Sequence, residues 1–137
     1  MKELELEAKV DNLQQVLECI DGELEKAGCP VTVQIQIDIA VEEVFVNIAS
    51  YAYAPGSGKA RVGIEISPDN QKAKIVLIDQ GVPFDPLAKP DPDVTLSAEE
   101  RQIGGLGIYM VKKTMDDVGY EYKDGSNILT ITKILTE

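Results

Sequence analysis

The stretch Val31-Thr32-Val33-Gln34-Ile35-Gln36-Ile37-Asp38-Ile39-Ala40-Val41-Glu42-Glu43-Val44-Phe45-Val46-Asn47-Ile48-Ala49-Ser50-Tyr51-Ala52-Tyr53 supports two opposed readings. From Gln34 to Ile39 polar and apolar residues alternate, the period of a half-buried strand. Over the whole run Val33, Ile37, Ala40, Val41, Val44, Ile48 and Ala52 fall mostly three or four apart, the stripe of a helix. Length decides between them. More than twenty residues without an internal Gly or Pro exceed an ordinary strand, so the run predicts one long helix, stopped by the turn chemistry of Pro55-Gly56-Ser57-Gly58.

Upstream, Leu4 to Val10 alternates in period two and predicts a first strand with Leu4, Leu6 and Ala8 on one face. Asp11 offers an N-cap for a helix whose stripe is Leu13, Val16, Leu17, Ile20, Leu24 and Ala27, ended by Gly28 and Pro30. Downstream, Ala60 to Ser67 and Lys72 to Ile78 read as strands joined through Pro68-Asp69-Asn70-Gln71. The segment from Gly81 to Arg101 holds Pro83, Pro86, Pro90 and Pro92 among acids and shows no period. A loop of that length in a compact domain is commonly a functional lid, and the lid is placed at about 81–103. A helix opening at Gly104, with Ile108, Val111 and Met115 as its apolar positions, and two strands near Val118 to Lys123 and Asn127 to Leu135 complete the chain. No repeat or composition break divides residues 1–137, so a single domain is expected. Its class is α/β: a two-layer sandwich with helices on one face of a largely antiparallel mixed sheet.

Composition narrows the function. The chain has 137 residues, 24 Asp plus Glu against 13 Lys plus Arg, no His, and a net charge of -11. So acidic a surface repels a polyanion, which argues against nucleic-acid binding. Without His there is no Ser-His or Cys-His pair and no phospho-accepting His, so a catalytic base must be a carboxylate or a Lys. Cys19 and Cys29 on one helix would lie about 15 Å apart, too far to bridge. With no signal-peptide core and no apolar run of membrane-spanning length, a cytoplasmic protein without a membrane partner is expected.

Chemistry is suggested at three places. Glu43 and Asn47, four apart, share a face of the long helix; they can aim an acceptor at a hydroxyl and an amide oxygen at a magnesium ion, or simply form a solvated polar face. Asp79 ends the apolar run Ile75-Val76-Leu77-Ile78 and is followed by Gly81, which places a carboxylate at a sheet end where it can accept from an exocyclic amine such as that of adenine; the same residues also suit an ordinary Asx turn. Gly104-Gly105-Leu106-Gly107 precedes a helix, where free amides and the helix dipole favour phosphate. The order of these elements along the chain is more specific than any one of them.

In that order the chain resembles the GHKL ATPases. Glu43 to Asn47 is similar to the N box, Asp79-Gln80-Gly81-Val82-Pro83-Phe84-Asp85 to the first glycine box, and Gly104-Gly105-Leu106-Gly107-Ile108-Tyr109 to the second. The short lid and the run from Gly104 to Asp117 are most similar to the bacterial anti-sigma-factor serine/threonine kinases. The resemblance implies the Bergerat-type sandwich with ATP between helices and lid. It implies that Glu43 is the general base, that Asn47 holds Mg2+ against the phosphates, and that Asp79 binds the adenine amine. Gly81, Gly105 and Gly107 would admit close backbone approach, with Phe84, Gly104 and Leu106 in the same nucleotide-binding boxes and Arg101, near the lid's end, toward the terminal phosphate. Glu42 has no counterpart role. The chain departs from the family in carrying Ser50 and Tyr51 where a His is common, and Ser126-Asn127 where a Gly-Thr pair is common before the last strand.

The function so implied is a protein kinase that phosphorylates a Ser or Thr of an anti-anti-sigma (STAS-type) partner and also binds a sigma factor or comparable regulator. The alternative is a nucleotide-gated binding module that moves no phosphate. A sensor histidine-kinase catalytic domain fits less well, because no acceptor His or dimerisation helix pair is present. The alternating first strand could pair in a homodimer.

Overall fold

The computed structural model describes residues 1–88 and 105–136. Strands β1 (Lys2–Glu7), β2 (Lys59–Ile66), β3 (Lys72–Asp79), β4 (Asp117–Lys123) and β5 (Ser126–Ile134) form one sheet in the order β1-β2-β3-β5-β4. All four ladders are antiparallel. Helices α1 (Leu13–Lys26), α2 (Val31–Asn47) and α3 (Gly105–Thr114) supply the second layer, the α/β architecture expected. No helix among the described residues is long and apolar enough to cross a membrane.

Period two places Ala60, Val62 and Ile64 of β2, Ala73, Ile75 and Leu77 of β3, and Leu129 and Ile131 of β5 on the buried face. Against them pack Val16, Ile20 and Leu24 of α1 and Val33, Ile37, Ala40, Val41, Val44 and Phe45 of α2. Phe45, outside the expected stripe, is fully buried. The strand-like alternation is resolved by helical geometry. Residues two apart on a helix point roughly opposite ways, so Ile37 is buried while Ile35 and Ile39 are exposed.

Several boundaries differ from the sequence reading. β1 stops at Glu7, and a 3₁₀ turn over Val10–Asn12 leads into α1. Asp11 therefore does not cap the helix: the preceding residue is Asn12, whose amide instead donates to the Glu7 carbonyl at 2.8 Å. At the other end Gly28 adopts φ +74°, and Cys29 N–H and Gly28 N–H donate back to the Leu24 and Glu25 carbonyls at 3.0 and 3.1 Å. That is a Schellman ending, satisfying carbonyls that α1 would otherwise leave open. The predicted long helix is α-helical only to Asn47 and continues as a π turn over Ile48–Ala52. Of the expected lid, residues 81–88 form a loop with a 3₁₀ turn at Pro86–Ala88; the rest, with Arg101 and Gly104, lies outside the described residues.

Candidate active site

A cavity of about 160 Å³ opens where the end of α2 meets the ends of β3 and β5. Its apolar walls include Val44, Ile48, Leu77, Ile108 and Leu129, and its polar groups include Asn47, Asp79, Tyr120 and Asn127. Val82, Pro83, Phe84 and Pro86 stand on the side of the segment after β3. A mostly apolar cavity with a few convergent polar groups is the usual form of a small-ligand site.

Asp79 follows from strand periodicity. It continues the Ala73, Ile75, Leu77 series on the helix-facing side of β3, so a carboxylate occupies the next core position and is only 6% exposed. Burial of a carboxylate requires donors. Gly81 N–H and Asn127 Nδ2 each donate to Asp79 Oδ1 at 2.9 Å. Among the described residues hydrogen bonds reach Oδ1 alone, and Oδ2 accepts none.

Gly81 approaches the protein's own backbone. A β-carbon there would overlap the Ala52 carbonyl at the end of the π turn, and the next residue, Val82, donates its N–H to that carbonyl at 3.0 Å. Tyr53 fixes the same corner: its hydroxyl donates to the Lys59 carbonyl at 2.6 Å and accepts from Gln80 N–H at 2.7 Å. A π turn is uncommon and is found often at functional sites; here it puts Ile48, Tyr51 and Ala52 on the cavity wall.

Asn47 is the last α-helical residue of α2 and lines the cavity, and among the described residues its side-chain amide has no hydrogen-bond partner. One turn earlier, half-buried Glu43 points at α3, where its carboxylate lies against the α-carbon of Gly107. Burial first, and then the neighbouring Glu42 charge, push the Glu43 carboxyl above its ordinary value. Asp79, Asn47 and Phe84 thus share one cavity, with the Glu43–Gly107 pair beside it between α2 and α3. Gly105 and Leu106 open α3.

Sequence reading passed over Asn127, Tyr120 and Tyr53. Asn127 stands opposite Asp79 in the β3–β5 register and is 7% exposed. Besides Asp79 it serves Val82 O at 3.0 Å, Phe84 N–H at 3.2 Å and the Tyr120 hydroxyl. The only trace of this was the Ser126-Asn127 departure before the last strand.

Residues 6–133 match the histidine kinase-like ATPase domain. The chain belongs to that family. Its relatives include serine/threonine-protein kinases: BtrW of Bordetella bronchiseptica is 27% identical over 96 residues, covering 70% of this chain and 67% of BtrW. Serine-protein kinase RsbW of Listeria monocytogenes is 28% identical over 138 residues, covering 98% of this chain and 87% of that protein. In fold, the family member is similar to the structure of the RsbU and RsbW domains of Rv1364c from Mycobacterium tuberculosis, with a TM-score of 0.67 and 16% identity; the match covers all of this chain and 33% of the mycobacterial one. It is also similar to a chain of the SiaB-SiaC complex from Pseudomonas aeruginosa, with a TM-score of 0.55 and 15% identity over 96% of this chain and 89% of that one.

Proposed function

We propose that this protein is an ATP-dependent serine/threonine kinase of the anti-sigma-factor type, acting in the cytoplasm on a Ser or Thr of an anti-anti-sigma, STAS-type partner. Phosphorylation of that partner would decide whether the kinase holds it or a sigma factor. The observation that carries the reading is the buried Asp79 carboxylate at the wall of an apolar cavity, one oxygen held by protein donors and the other, among the described residues, left to accept. Kinship with serine-protein kinases supports the reaction class.

In this reading Asp79 Oδ2 accepts the adenine amine and the apolar walls take the ring. Phe84 and the backbone at Gly105, Leu106 and Gly107 belong to the same nucleotide site, and Arg101 and Gly104 are assigned to it from the sequence. Asn47 suits a magnesium ion: its amide oxygen is unclaimed at the cavity wall, and such an ion takes few protein ligands and draws the rest from phosphate and water. Bound there with the nucleotide, it would neutralise charge building on the phosphates. Glu43 would take the proton of the attacking hydroxyl, a task for which a raised carboxyl is suited. The outer edge of β1, at the end of the sheet, suits pairing in a homodimer.

A nucleotide-gated regulator that transfers no phosphate is the second reading. On its side stands the orientation of Glu43, which packs against Gly107 and does not line the cavity. Incubation with γ-labelled ATP and a candidate anti-anti-sigma domain separates the two: label on the partner's Ser or Thr is expected. Binding of both ATP and partner without transfer would establish the gated module instead.

A further inference from the structure

Every hydrogen-bonding position of the Asn127 amide is used inside the protein. Nδ2 donates to Asp79 Oδ1 at 2.9 Å and to Val82 O at 3.0 Å, with a longer contact to Gly81 O at 3.5 Å, while Oδ1 accepts from Phe84 N–H at 3.2 Å and from the Tyr120 hydroxyl. A primary amide has two N–H groups and one carbonyl oxygen with two lone pairs, so these bonds exhaust it. The network also fixes which way the amide faces. Turned over, it would set its oxygen against a carboxylate and a carbonyl, and its N–H groups against the Phe84 N–H. Burial raises the Tyr120 phenol above its ordinary value, which keeps that hydroxyl a donor.

One buried side chain therefore binds three things at once: the carboxylate at the end of β3, the backbone of the segment that follows it, and β4 through Tyr120. Removing the amide would leave Asp79 Oδ1 with the Gly81 N–H alone, and a carboxylate held by one donor can turn about its Cβ–Cγ bond.

We propose that Asn127 is the positioning residue for purine selection: by clamping Asp79 Oδ1 together with Val82 and Phe84, it presents Oδ2 as a fixed acceptor that favours a purine with an amino group at C6 over one with a carbonyl oxygen there. This rests on the reading that the cavity takes a purine nucleotide. A fixed carboxylate oxygen meeting a carbonyl oxygen loses a charge-assisted hydrogen bond and gains repulsion, a difference of about 10- to 100-fold in affinity. A carboxylate free to turn discriminates less.

The test is calorimetric binding of ATP and of inosine triphosphate, which carries the C6 carbonyl, to the full chain and its variants. Wild type should prefer ATP by about 10- to 100-fold. Asn127→Leu, similar in volume but without donor or acceptor, should cut that preference about tenfold. Asn127→Thr, whose hydroxyl can both donate to Asp79 and accept from Phe84 N–H, should retain most of it, whereas Asp79→Asn should lose it. A merely structural role would weaken both nucleotides equally and leave their ratio unchanged. Should Asn127→Leu lose its cooperative unfolding transition, Tyr120→Phe takes its place, since it removes one bond from Asn127 Oδ1 and should lower the ratio about threefold. A ratio unchanged in the folded Asn127→Leu, or in Tyr120→Phe where that replaces it, overturns the role of Asn127 and leaves the nucleotide site standing. Equal wild-type affinity for the two nucleotides overturns purine selection. Binding of neither by the wild type overturns the nucleotide reading itself, and this inference with it.

Discussion

The Glu43 carboxylate fills the space that a β-carbon on Gly107 would need, so α2 and α3 meet through a charged group lying on a bare backbone. The Glu43 end is flexible, so a methyl group at 107 would displace the carboxylate before it moved either helix. Gly107→Ala should therefore keep the fold, with a stability loss inside the roughly 1 to 3 kcal/mol typical of overpacking, while phosphoryl transfer falls about tenfold or more. The assignment is checked by a double-mutant cycle with Glu43→Ala. Gly107→Ala should cost little further rate in the background that lacks the displaced group. Additive losses would place the effect of Gly107 elsewhere.

A second pair of residues governs pH dependence away from the cavity. Asp38 on α2 faces Asp21 on α1, and Oδ1 of each is buried without a partner among the described residues. Burial, the adjoining Asp21 carboxyl and the charge of Glu25 push the Asp38 carboxyl up to about 8 from an ordinary 3.8. Between those values the folded chain keeps a proton that the unfolded chain releases, so stability should fall as pH rises across this window. Asp38→Asn offers Asp21 an N–H donor at any pH. Its urea midpoint should exceed that of wild type near pH 9 and come close to it near pH 4, at opposite ends of the linkage window. A constant difference at all pH values would remove the proton from the explanation.

Glu42 is exposed, yet its charge contributes to the raised Glu43 carboxyl, after burial. A general base works only when ionised, so the acid limb of phosphoryl transfer should lie above that of an ordinary carboxylate. Glu42→Gln removes the repulsion, eases ionisation of Glu43 and should move that limb to lower pH, with little change on the plateau. The measurement is the pH profile of label transfer to the partner. A limb that stays in place would assign it to another group.

The chemistry legible in the sequence was the chemistry carried by local spacing. Glu43 and Asn47 share a helix face because they are four apart, and Asp79 reaches the cavity because it ends an apolar strand on the core-facing phase. What could not be read depends on register and on chain paths set elsewhere. Asn127 is one polar residue in a strand, and it becomes the cavity's hub only because β5 pairs with β3 so that it stands opposite Asp79. Tyr53 matters through Lys59 and Gln80, the latter 27 residues away. Asp11 had the composition of a cap, but the 3₁₀ turn gives the position to Asn12. Gly81 was expected to make room for a ligand, and its closest demand comes from the Ala52 carbonyl, at a π turn that no periodicity announces.

Glu43 and Asn47 lie one helical turn apart, yet they should fail in different ways. If Glu43 takes the proton as the hydroxyl attacks the terminal phosphate, Glu43→Gln keeps the size and loses only the basic oxygen. ATP affinity should then stay within about threefold of wild type while transfer drops by about 10² to 10⁴, the usual span for a general base. Asn47→Ala removes an amide oxygen that would act on the metal and phosphates before and during transfer alike. Both nucleotide affinity and turnover should therefore fall, and raising the magnesium concentration should recover part of the affinity. Each variant is assayed twice, by calorimetry with ATP and by label transfer to the partner. A Glu43→Gln protein that transfers at the wild-type rate would show that the carboxylate resting on Gly107 stays there throughout, and the gated binding module would then be the better account of this chain.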